Sequence, residues 1–195
     1  MRNARSGFAA WVAVWVLVLA LPCQAARAGE VKKPASLAWV TPAVAGYGKV
    51  HPRPDAAVQP DPAADYRIFV RVTDDGKHPR ERMHALDRLA RLVNVMAVAK
   101  VPPSHVHIVA LLDGEASLAS ATDEVYRRYT KVAKNPNQAI VHALHQAGVQ
   151  LLVCGQALAM ENLPDSAVVP DVTVSLSALT DVVVYGQKGY IYMEL

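Results

Sequence analysis

The chain has 195 residues with a formal net charge of +3 and 52% hydrophobic residues, enough for one domain plus a terminal extension. The positive excess sits in residues 1–28, which hold Arg2, Arg5 and Arg27 and no acid, so that of 20 basic and 17 acidic residues 17 of each remain beyond them. That neutral balance removes the charge argument for a nucleic-acid partner, and none is expected.

The N-terminus reads as an export signal. Arg2 and Arg5 precede an apolar run from Phe8 to Leu21, and Ala26-Arg27-Ala28 offers an A-x-A cleavage site before Gly29. The run is short for a spanning helix and no stop-transfer pattern comes after it, so no stable membrane insertion is expected after cleavage. The alternative is an uncleaved anchor. Cys23 comes after Pro22, where a lipobox wants a small residue, so lipidation is not expected. The mature protein is expected in the periplasm or secreted. Its one cysteine is then Cys154, so no internal disulfide forms and the core must hold the fold.

Residues 29–64 read as a proline-rich linker or arm. Pro34, Pro42, Pro52, Pro54, Pro60 and Pro62 deny ladder hydrogen bonds and helix propagation, while Trp39 and Tyr47 offer docking groups. The arm is expected to be dispensable for folding of the domain that begins at Asp65.

From Asp65 to Leu195 the pattern alternates between strand and helix. Tyr66–Thr73 is a predicted strand. A helix runs from Pro79, well placed as a first helical residue, to Lys100, with Met83, Leu86, Ala90, Val93 and Ala97 on one face. His105–Leu112 is a second strand. Leu118, Ala121, Val125, Tyr129 and Val132 suggest the next helix, and Asn135-Pro136-Asn137 breaks it. Gln138–Ala147 is a short helix that stops at Gly148. The apolar run ending in Val153-Cys154 is a third strand, Val172–Val174 a fourth, and Gly189–Glu194 a last one. Ser175–Gln187 fits either state: its valines favour strand, while Leu176, Leu179, Val183 and Gly186 fit a helix face. This alternation predicts a three-layer α/β/α sandwich around a mostly parallel sheet of about five strands.

In such a sheet, ligands and chemistry collect at the carboxyl edge. Cys154 ends an apolar strand just before Gly155, which places a thiol at that edge. A helix beginning there would turn its amide dipoles toward the sulfur and favour the thiolate, so a partly exposed thiol is expected. The bland alternative is that Cys154 is a small core hydrophobe. Other chemistries find little support. His105 with His107, and His142 with His145, show no metal-site spacing, and no metal or other cofactor is expected. No Gly-rich phosphate loop succeeds the first strand, where Asp74-Asp75-Gly76 would repel a phosphate, and no G-x-S-x-G elbow exists.

Asn135-Pro136-Asn137, Ala147-Gly148-Val149 and Val153-Cys154-Gly155-Gln156-Ala157, with Leu176-Ser177-Ala178-Leu179-Thr180 and Gln187-Lys188-Gly189-Tyr190 further on, resemble the DsrE family of sulfur-relay-type proteins, in particular its exported members. The resemblance spans residues 65–195. It implies a small α/β sandwich assembling into homo- or hetero-oligomers, often trimers or hexamers. It further implies that a cysteine, here Cys154, takes up sulfur as a persulfide and passes it to a partner. Asp113 stands where related sequences often carry a histidine, so a proton-transfer role is not carried over to it. The expected site is Cys154 as the reactive group, with Asp113, Asn137, Gly155 and Gln156 shaping the pocket. Donor and acceptor proteins would be its partners. The alternative is a non-catalytic oligomeric binding module with Cys154 buried, and whether the protein is an enzyme stays open.

Overall fold

A computed structural model describes residues 38–74 and 76–195. The expected signal, Cys23 and the first part of the arm lie outside the described residues. Five strands form one sheet: β1 (Tyr66–Val72), β2 (Val106–Leu112), β3 (Gln150–Cys154), β4 (Val172–Ser175) and β5 (Ile191–Glu194). Their order is β4-β3-β2-β1-β5, and every neighbouring pair is parallel. Five α-helices connect them: α1 (His84–Val98), α2 (Asp123–Thr130), α3 (Gln138–Gln146), α4 (Gly155–Met160) and α5 (Ala178–Gln187).

Strand alternation divides the core in two. Ile68, Val70 and Val72 of β1 point to one face with Ile108, Ala110 and Leu112 of β2, and pack against Leu86 and Leu89 of α1 and Ile140 and Leu144 of α3. Phe69, Val109, Leu111, Leu152 and Cys154 point to the other, where Ala178 of α5 meets them. Three crossovers step the same way across the sheet, from β1 to β4. Right-handed connections keep their helices on one face, and the return from β4 to β5 throws α5 onto the other. The predicted three-layer sandwich is the observed one.

Helix boundaries differ from expectation for identifiable reasons. α1 begins at His84 and not at Pro79. In a helix the Met83 amide would donate to the Pro79 carbonyl; here it donates to Asn137 Oδ1 at 2.8 Å, and the Pro79 carbonyl accepts from the Tyr126 hydroxyl at 2.8 Å. The predicted helix over 118–132 is two elements, a 3-10 segment Gly114–Ser120 and then α2, capped by Thr122, whose Oγ1 accepts from the Val125 amide at 3.4 Å. Ala121 between them is held in an antiparallel bridge to Val168. The ambiguous stretch after β4 is helix from Ala178, started by Ser177, whose hydroxyl accepts from the Leu179 amide at 3.2 Å.

The described part of the arm, residues 38–64, packs on α1. Asn94 is 0% exposed and uses its whole amide on the arm: Oδ1 accepts from the Ala43 and Val44 amides at 2.8 and 2.9 Å, and Nδ2 donates to the Tyr47 and Gly48 carbonyls at 2.9 and 3.1 Å. Val44 joins the main core. Gly48, at φ +56°, lies so close to α1 that an added Cβ would sit 2.2 Å from the Arg91 nitrogen. The proline spacing denies the arm long elements; what forms is a single antiparallel bridge between Val40 and Val50, where the sequence allows a short extra strand around Leu37–Val40, and docking through backbone groups.

Asn94→Ala should therefore destabilise the protein by about 2–4 kcal/mol, since it strands buried arm groups. Gly48→Ala should free the arm to proteolysis. Urea melts and limited digestion check both. An unchanged midpoint in both variants would mean that the arm contributes nothing to the fold.

Candidate functional site at the carboxyl edge

Cys154 closes β3, beside Ser175 of β4. Its placement at the carboxyl edge agrees with the sequence; its exposure does not. The residue is 3% exposed, and Sγ accepts a hydrogen bond from the Ala178 amide at 3.3 Å. The expected partly exposed thiol is thus a buried one, because the first turn of α5 closes over it. Gly155 serves this closure: a Cβ there would stand 2.6 Å from the Ser175 carbonyl oxygen, so glycine lets β4 approach. Gln156 is exposed, and its Nε2 donates to the Leu176 carbonyl at 3.3 Å, tying α4 to the segment that enters α5. Cys154, Gly155 and Gln156 together make a joint between β3, β4 and α5.

Asp113 comes directly after β2 and faces another partner. Its Oδ2 accepts from Arg71 Nε at 2.9 Å and from Nη2 at 2.7 Å, and Glu194 lies 3.8 Å from the same guanidinium. The hydrogen bonds from Arg71 to Asp113 raise the Arg71 pKa, so the guanidinium stays charged across the working range of pH. A hollow of about 380 Å³ opens here, lined by Arg71, Thr73, Asp74, Asp113 and Glu115 together with α4 residues such as Met160.

A second cavity of about 260 Å³ adjoins it, since Asp74 and Glu115 line both. Its further walls include His78, His84, Tyr126 and Asn137. Asn137 is 3% exposed, and its side chain holds the start of α1 as described. Its own amide donates to Asn135 Oδ1 at 3.0 Å, and Asn135 in turn donates to the Leu118, Ala119 and Ala121 carbonyls. Burial, and secondarily the nearby Asp74 carboxylate, push the Tyr126 hydroxyl pKa up, so it remains a donor. The cleft offers carboxylates, imidazoles and the guanidiniums of Arg71 and Arg82, each paired with an aspartate. Cys154 lines neither part of it. Among the described residues no group of three His, Cys, Asp or Glu side chains is placed to hold a metal ion.

The structure therefore separates the predicted site residues. Asp113 and Asn137 lie along the cleft, while Cys154, Gly155 and Gln156 form the joint beneath α5. Sequence reasoning missed Arg71. A usable signal was present: Arg71 shares a face with Phe69 in a strand expected to be covered on both sides, so it required an acid at the neighbouring strand end. Glu115 and Tyr126 carried no comparable signal.

The sequence profile of the DsrE/DsrF-like family matches residues 67–195, from β1 through β5. The chain belongs to the DsrE/DsrF-like family. This DsrE-family protein is also similar to the structure of a protein of unknown function, MTH1491 from Methanobacterium thermoautotrophicum, at 18% identity and a TM-score of 0.49, over 67% of this chain and 100% of that one. No curated protein matches the chain at a significant level.

Asn137→Ala should cost about 1–3 kcal/mol by leaving the buried Met83 amide unpaired. Arg71→Met should cost less, about 1 kcal/mol or under, because solvent screens that partly exposed pair. Thermal melts of the two variants check the ranking; the reverse order would mean that the ion pair, and not the Asn137 contact, holds this edge.

Proposed function

We propose that this DsrE-family protein is an exported, homo-oligomeric binding protein that takes its ligand in the carboxyl-edge cleft and keeps Cys154 as a core group. The observation that carries this reading is the state of the sulfur: 3% exposed, hydrogen-bonded to the Ala178 amide, and packed among Phe69, Val109, Leu111 and Leu152. A thiol in such a place behaves as a small hydrophobe. The family resemblance supports assembly as a trimer or hexamer. The Arg2, Arg5 and Ala26-Arg27-Ala28 order supports export to the periplasm or beyond.

A second reading is favoured by one specific observation: the group bonded to Cys154 Sγ is the Ala178 amide, in the first turn of α5. In that reading the protein carries sulfur. The Cys154 thiolate attacks the terminal sulfane sulfur of a polysulfide, the new Cys–S bond forms as the donor S–S bond breaks, and the shortened polysulfide leaves as the anion. A partner thiolate then attacks the outer sulfur, and Cys154 departs as thiolate. No net oxidant is consumed. Donor and acceptor would be other proteins or small sulfur species.

Intact-mass analysis after exposure to polysulfide, with Cys154→Ser alongside, separates the two. The binding reading expects no added sulfur in the folded protein and alkylation of Cys154 that is slow until denaturant is added. Addition of sulfur to the native protein, lost in Cys154→Ser, would replace it by the carrier reading. For export, N-terminal sequencing of the secreted product should begin near Gly29; a start at a lipid-modified Cys23 would overturn that cleavage site.

A further inference from the structure

α5 is built the wrong way round for a surface helix. Its single charged residue, Asp181, is buried against the sheet, and Asp181 Oδ2 has no hydrogen-bond partner. Its outward side is apolar: Leu179 is 82% exposed, Val183 58%, and Val182 and Val184 are exposed as well. Leu176, just before the helix, is exposed too, as is Tyr192 of the adjacent β5, which registers with Phe69 on this face of the sheet. A helix exposed to water normally does the opposite. An exposed apolar face of this kind marks an interaction site.

The chemistry of the face selects its occupant. No charge interrupts the outer side between Leu179 and Gln187, and Lys188 beyond it lies over the Tyr185 ring at 5.1 Å. A helix lying on a lipid surface would carry lysines and arginines along its polar side, and α5 has none. A charge-free apolar surface is also compatible with itself, since no like charges meet when two copies face each other.

We propose that a second copy of this chain covers the outer face of α5, and that this contact clamps α5 down over Cys154. It rests on the binding reading above and adds a regulation to it. α5 is held to its own sheet by a narrow stripe, Ala178 and Tyr185, the latter stacked on Phe69 at 5.0 Å. The Ala178 amide at the head of this stripe is the group on the sulfur. Any reagent that reaches Sγ must lift that first turn. In the assembly, lifting it also breaks the contact with the neighbouring copy, so assembly lowers the population of the open state.

The test uses the purified wild-type protein and two variants, Val183→Glu and Leu179→Glu, at positions exposed enough to accept a charge without disturbing the core. Light scattering gives the mass, thermal melting reports the fold, and alkylation of Cys154 under native conditions reports the opening. The wild type should be oligomeric and slow to alkylate. Each variant should be a folded monomer that alkylates faster, by about tenfold or more. A variant that stays assembled, or a wild type that is monomeric at every micromolar concentration, would overturn the interface. Folded monomers that alkylate no faster than wild type would overturn the clamp. Should both variants unfold, hydrogen exchange of residues 178–187 in wild type decides instead: protection that falls on dilution supports the clamp, and protection independent of concentration refutes it. Rapid alkylation of the intact wild-type oligomer would defeat the buried-thiol reading itself, a result distinct from each of these.

Discussion

The sheet grows in one direction from β1 to β4, and the chain then reverses to place β5 beyond β1. Everything else about its two faces depends on that step. The three earlier crossovers stack α1 and α3 on one side, where the largest apolar side chains gather and where the proline-rich arm finds Asn94 to hold it. The other side receives the ten-residue α5 and Ala157 of α4. A sheet that buries strand residues on both faces is thereby covered thickly on one and thinly on the other. Cys154 points to the thin side because the two-residue period of β3 puts it in line with Leu152.

The strands were legible because their chemistry is local. Val, Ile, Leu and Phe in runs bounded by Asp113-Gly114 or Cys154-Gly155 leave few alternatives, and a continuous apolar run means cover on both faces. The start of α1 was not legible. Pro79 is a sound first helical residue by local rules, yet Tyr126 and Asn137 take the carbonyl and the amide that the first turn would have paired. Those partners lie about 50 positions away, and no window along the chain contains them. α5 shows the reverse. Its valines argued for strand, and a single Ser177 cap with the crossover requirement settled it as helix. At the site, position was readable and access was not. β3 fixes where Cys154 stands, but whether solvent meets it is decided by a segment that begins 24 residues later at Ala178.

The same division runs through the cleft. Asp113 looked like a free carboxylate at a strand end, and as such it could have opposed a neighbouring thiolate. Arg71 removes it from that role by taking Oδ2 with two donors, and Glu194 completes a row of alternating charge across β5, β1 and β2. Asp74 and Glu115 are then the carboxylates shared by both parts of the cleft. The ion pair therefore commits Arg71 and Asp113 to each other, while the part near the loop after β1 mixes Asp74 and Glu115 with Arg82, His78 and His84.

The free energy that hides Cys154 is small in a lone protomer. The Ala178 side chain contributes a single methyl group to the contact, the amide-to-sulfur bond is of the weak kind, and the Ser177 cap is worth about 1 kcal/mol. Against this, Asp181 brings a carboxylate beneath the helix with one oxygen unpaired, which works for opening and not for closure. Tyr185 supplies most of the adhesion through its stack on Phe69 and its edge contact with Tyr190 at 5.1 Å, but it sits two turns from the sulfur. The two buried residues of α5, Ala178 and Asp181, both lie in its first turn, so the end that covers the thiol is held with little apolar area. A leucine or valine at position 181 would hold the helix to its sheet from within. With an aspartate there and the valines on the outer side, closure of α5 is left to a contact from outside the protomer.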